Sequence, residues 1–165
     1  MYPAENKWQS LAQHNTFDLS NKFEVQITIV KPPDGPPHVS IRKYAKYLTS
    51  SERKQGISVH EMVFRPMKEG VLFPACKFND LLKAIKTLIS DDGKSCQTVP
   101  LFSTGRLSEL RVNVINPLEK GAVIIIEKWA QLSNCDRART GIERLFPTTK
   151  ISIPARCWQK YLNSI

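Results

Sequence analysis

VLFPACKFNDLL (residues 71–82) and ISIPARCWQKYL (residues 151–162) are two versions of one pattern. In both, a short apolar stretch runs into Pro-Ala (Pro74-Ala75, Pro154-Ala155). An aromatic residue (Phe78, Trp158) and a leucine (Leu82, Leu162) then follow at matching positions. Working outward, Ile41-Arg42-Lys43-Tyr44-Ala45 returns as Ile126-Glu127-Lys128-Trp129-Ala130. Gly56-Ile57 returns as Gly141-Ile142, and Val25-Gln26-Ile27 as Val112-Asn113-Val114. Similar segments in the same order predict two copies of one structural unit, able to pack face to face as a built-in dimer.

The unit can be read from its periodicities. Phe23, Val25, Ile27 and Ile29 alternate with Glu24, Gln26 and Thr28, which predicts a half-buried strand. KPPDGPP (31–37) is a turn, HVSIRKYAKY (38–47) a second strand and LTSSERKQ (48–55) a polar basic loop. GISVHEMVF (56–64) reads as a third strand, RPMKEG (65–70) as a turn and VLFP (71–74) as a fourth strand. Over 75–89 the apolar residues fall at helical spacing, with Gly93 beyond to end the helix. The second copy repeats the plan. Its strands are 108–116, 122–132, 141–146 and 149–153, a basic loop fills 133–140, and a helix runs to residue 165. The expected fold is α+β: two ββββα repeats with curved antiparallel sheets, each covered by a helix and packed through those helices as an intramolecular pseudo-dimer. The expected divisions are an N-terminal arm (1–21), repeat one (22–92), a linker (93–107) and repeat two (108–165). Phe78, Leu81, Leu82, Ile85, Trp158, Tyr161 and Leu162 are the expected core and interface between repeats.

Composition narrows the function classes. The 165 residues are 41% hydrophobic and 24% charged, as in ordinary globular chains. Each copy alone would be a marginal domain, which favours pairing. No apolar run approaches the ~20 residues of a membrane span, and MYPAENKWQS lacks the apolar core of a signal peptide. An intracellular, non-secreted protein without a membrane partner is expected. Cys76, Cys96, Cys135 and Cys157 form no CxxC pair and only three histidines are present, so free thiols and no metal site are expected. GxxxxGK[ST], GxSxG and HExxH are all absent, and Asp91-Asp92 reads as a helix cap and turn. No enzymatic activity and no cofactor are expected. A net charge of +9 points to an acidic partner.

Placement suggests which partner. With Val39 and Ile41 turned to the core, Ser40, Arg42, Tyr44 and Lys46 share the opposite face of the second strand. Cations there meet phosphates, and an aromatic ring offers a stacking surface to an unpaired base. Arg53 and Lys54 would sit at the rim. The competing reading is an ordinary solvated strand face, which the same residue types also suit.

I-R-K-Y-A (41–45), R-K-Q-G-I-S (53–58) and a helix with an aromatic-x-x-Leu signature resemble the C-terminal domain of transcriptional positive cofactor four. In that family a strand ending I-R-E-Y-W is followed by a loop, R-K-G-I-S and a helix with W-x-x-L. The ββββα plan is also similar to Pur-alpha repeats and, more distantly, to Whirly proteins. The resemblance covers about 23–90 and, more weakly, 108–165. It implies a nuclear, non-catalytic protein of transcription or replication, holding single-stranded DNA on a curved sheet. Transcription or replication proteins would be further partners. Carried over by position, the binding role falls to Arg42, Tyr44, Lys46, Tyr47, Arg53 and Lys54 in copy one, and to Lys128, Trp129, Arg137 and Arg139 in copy two. The chain departs from the family at Ala45 (tryptophan there) and Gln55 (lysine there). Copy two departs further: Glu127 replaces Arg42 and Ile125 replaces Ser40, leaving a face of Val123, Ile125, Glu127 and Trp129. That face is expected to bind nucleic acid less well or to pack on another surface. Two rival functions stand beside single-stranded DNA binding: RNA binding by the same face, and a protein-interaction scaffold that has lost it. The oligomeric expectation is a monomer with an internal pseudo-dimer, or a homodimer.

Overall fold

The computed structural model describes residues 8–58, 61–90, 96–103, 106–116, 121–131 and 145–165. In chain order these form β1 (Gln9–Asp18), β2 (Phe23–Lys31), β3 (His38–Lys46), α1 (Ser50–Lys54), β4 (Phe64–Pro74) and α2 (Phe78–Ser90). There follow β5 (Gln97–Ser103), β6 (Arg106–Ile115), β7 (Val123–Gln131), β8 (Leu145–Pro154) and α3 (Ala155–Ser164). The architecture is α+β: two antiparallel sheets, ordered β1-β2-β3-β4 and β5-β6-β7-β8, with few helices. This is compatible with a two-repeat arrangement. Among the described residues no helix is long and apolar enough to cross a membrane.

Several expected boundaries move. The segment expected as an arm supplies β1, which pairs with β2 through two irregularities, between Ser10 and Ala12 and between Gln13 and Asn15. The expected linker supplies β5, an edge strand that accommodates Pro100 because an edge position need not donate inward. The expected basic loop contains α1, opened by a capping box: Thr49 Oγ1 accepts from the Glu52 amide, and Glu52 Oε1 accepts from the Thr49 amide. The expected third strand (56–64) is not formed among its described residues before Phe64. The expected turn at 65–70 is instead the first half of β4. Expected strands 141–146 and 149–153 likewise give way to the single strand β8; residues 141–144 lie outside the described set. Before α2 a single 3-10 turn, Ala75–Lys77, intervenes.

Register gives the two sheets equivalent core rows. Ile27, Ile41 and Val71 lie side by side in the first sheet, and Val112, Ile126 and Ile151 in the second. All six are buried. The equivalence drawn from Val25 and Val112 is therefore displaced by two residues: Ile27, not Val25, corresponds to Val112. A two-residue slip keeps the same face inward, so alternation alone does not detect it.

The helices cross between the halves. Besides stacking Phe78 on Phe73 of its own sheet, at 6.4 Å between ring centroids, α2 lies against β5, β6 and α3. On α3, the Trp158 and Tyr161 rings meet Phe17 of β1 edge-on, at 5.0 and 5.8 Å. One continuous apolar cluster results, drawing on both sheets and both long helices.

Candidate nucleic-acid interface

On β3, Val39, Ile41 and Ala45 are buried while Arg42 is exposed and Ser40, Tyr44 and Lys46 are half-buried. The expected alternation therefore holds, but its outward face is not uniformly basic. Tyr44 lies in a cross-strand row with Glu24, Asp18 and Pro66. Arg42 lies in the next row, between Gln26 and Gly70. Two carboxylates beside Tyr44 make that corner unfavourable to phosphate. Favourable potential begins one row on, at Arg42.

Irregularities in β4 and β8 shape what lies beyond. Between Arg42 and Tyr44 the register shifts so that Met67, Lys68 and Glu69 together oppose Lys43. Arg42 Nε donates to the Met67 carbonyl at 2.6 Å, which fixes the guanidinium over the bulge. Glycine at position 70 permits this path. A Cβ there would stand 2.9 Å from the Ile41 carbonyl oxygen and 3.1 Å from Arg42 Cγ. In β8, Thr148 forms the corresponding irregularity opposite Lys128 and Trp129, its hydroxyl donating to the Lys128 carbonyl at 3.0 Å.

These bulges adjoin. β4 and β8, the inner edges of the two sheets, approach one another and leave a cleft of about 370 Å³. Arg42, Lys68 and Lys128 line it together with Ser40, Gly70 and Thr149. Lys128 Nζ crosses from β7 to donate to the Leu72 carbonyl on β4 at 2.8 Å, and burial holds its ammonium below the usual lysine pKa. Lys150 stands exposed in an adjoining depression with Lys68, Glu69 and Glu127. Three cations from both sheets and the hydroxyls of Ser40, Thr148 and Thr149 can hold anionic oxygens by charge and hydrogen bonding together.

The other expected residues are distributed differently. Lys46 Nζ covers the Phe64 ring at 4.8 Å, and Tyr47, 42% exposed, lies against the Arg65 guanidinium at 5.9 Å. Arg53 and Lys54 are exposed on α1, which the Glu52–Arg65 ion pair ties to the start of β4. Trp129 and Lys128 project from opposite faces of β7. Arg111 covers one face of the Trp129 ring at 3.9 Å, and its indole N–H is buried without an acceptor. In the second sheet Glu127 lies in register between Arg111 and Lys150, so its charge is opposed on both sides. Arg137 and Arg139 lie outside the described residues.

Sequence reasoning missed Lys68 and Lys150, which the bulged stretches of β4 and β8 carry. The signal that could have found Lys68 is the run Lys68-Glu69-Gly70, where glycine marks a close backbone approach. No protein-family model, curated protein or solved structure matches the chain.

Proposed function

We propose that this chain binds single-stranded nucleic acid, DNA in preference to RNA, without catalysis and with little sequence preference. The observation that carries the reading is the convergence of Arg42, Lys68 and Lys128 on one cleft where the two sheets meet. Phosphates of a single strand would lie along these cations. Tyr44, two residues from Arg42 on the same face, offers a ring for an unpaired base. In this reading the two sheets and their crossed helices form an intramolecular pseudo-dimer of ββββα repeats with specialised faces. The protein would serve transcription or replication, in the nucleus.

A second reading has its own observation. The outward face of β6 and β7 carries Ile115, 45% exposed, beside half-buried Val123 and Ile125. That surface suits a protein contact better than a phosphate chain, and it supports the scaffold alternative for the second sheet.

The test is binding of a fluorescent ~20-nucleotide single strand and its matching duplex across a salt series. Three phosphate contacts predict a log–log slope of about −2, at roughly −0.7 per contact on single strands. Single-strand preference with such a slope, lost in Arg42→Ala, supports the proposal. Equal or absent binding of both forms at low salt sinks it and leaves the scaffold reading.

A further inference from the structure

A second groove, of about 500 Å³, lies away from this cleft, along the seam between α2 and α3. Its apolar residues are Leu82 and Ile89, two helical turns apart on α2, Leu162 on α3 and Ile165 just past the end of α3. Leu82 is buried, Ile89 and Leu162 are half-buried, and Ile165 is 73% exposed, so the groove is floored and flanked by aliphatic side chains. Lys83 and Lys86 line it from α2, both exposed and one turn apart on one helix face. Among the described residues no Asp or Glu side chain lines it.

We infer that this groove receives an amphipathic, acidic peptide segment of a partner protein, bound as a short helix. Length, polarity and charge each support this. From Asn79 to Ser90 the lining follows α2 for about 16 Å, at 1.5 Å per residue, which matches three turns of a bound helix. Aliphatic side chains from two helices accept an apolar stripe repeating at i, i+3 or i+4, and i+7, the usual mode of helix-in-groove recognition. The two ammonium groups alongside, with no acidic side chain among the described lining residues, select carboxylates on the ligand's polar edge. Among the described residues no aromatic ring lines the groove, which argues against nucleic acid, whose bases would find no stacking platform.

Fluorescence anisotropy with the full chain tests this. The probe is a labelled peptide of about 15 residues, with leucines at helical spacing and glutamates elsewhere. Saturable binding is expected, weakened at least about tenfold by Lys83→Glu with Lys86→Glu and by scrambling the peptide, and unchanged by Arg42→Ala. Both lysines are exposed, so the double variant should fold; if it does not, Lys83→Gln with Lys86→Gln gives the same readout at smaller amplitude. No binding, equal binding of the scrambled peptide, or indifference to both lysine variants overturns the inference. So does displacement by a single-stranded oligonucleotide, which would place the peptide in the cationic cleft. Self-association of the chain that the lysine variants abolish would show the groove occupied by a second copy, and would overturn it too.

Discussion

Lys128 Nζ donates to the Leu72 carbonyl oxygen at 2.8 Å, joining the second sheet to the free edge of the first. An edge carbonyl needs a partner, and here an ammonium supplies one where a ninth strand would otherwise pair. The arrangement also keeps a cation at the cleft floor. Its stability contribution is limited by opposing terms: a hydrogen bond to a charged group contributes ~1.5–3 kcal/mol, and desolvating the ammonium costs several kcal/mol. Lys128→Met should therefore change unfolding free energy by no more than about 1 kcal/mol while weakening single-strand binding and flattening its salt slope by about 0.7. Urea unfolding and salt titration on one preparation check both halves.

Gly70→Ala should reduce binding without removing a charge. The added methyl meets the Ile41 carbonyl at 2.9 Å and the Arg42 stem at 3.1 Å, so the β3–β4 backbone and the Arg42 stem must shift from their places over the bulge. Overpacking of this kind costs about 1–3 kcal/mol. Wild-type affinity in a folded Gly70→Ala protein would show that the position of Arg42 is immaterial.

Trp158→Ala should destabilise the protein by about 3–5 kcal/mol, as for other buried aromatic truncations. The loss should be felt in the opposite half, because Trp158 packs on Phe17. Hydrogen exchange of β1 and β2 amides reads this directly. Loss of protection confined to β8 and α3 would contradict the crossed packing.

Acid should loosen α1 before the sheets. Hydrogen bonds from Thr49, and then the Arg65 guanidinium, hold the Glu52 carboxyl below its usual range. A depressed folded pKa stabilises above the unfolded value of ~4.3 and is lost as pH falls through the folded value. Glu52→Gln should remove this part of the acid dependence. Exchange rates of the α1 amides, followed from about pH 6 down to pH 3, make the comparison across that window.

Much of this was legible in the sequence, and the rest was hidden for identifiable reasons. β2, β3 and α2 follow strict periods of two and 3.6, so Val25, Ile27, Val39 and Ile41 declare their face. β1 does not: its two irregularities break the alternation, so the segment reads only as an arm. Arg65–Gly70 has turn composition and so predicts a break in β4, yet a bulge satisfies the same residues inside a continuous strand. Thr49-x-x-Glu52 announced α1 as a capping box and was read as loop. The outward row of Ser40, Arg42 and Tyr44 was readable from alternation. Its meeting with Lys68 and Lys128 was not, because that depends on how β4 and β8 approach.

The crossed helices also set the order in which this protein can mature. Phe17 is translated well before its ring partners Trp158 and Tyr161, which lie in the last helix described. The first sheet must wait, incompletely covered, until Trp158 and Tyr161 have been made. Contacts so distant in sequence slow folding and prolong the exposure of apolar surface. The nascent chain, more than the finished protein, is thus the form in greatest need of a chaperone.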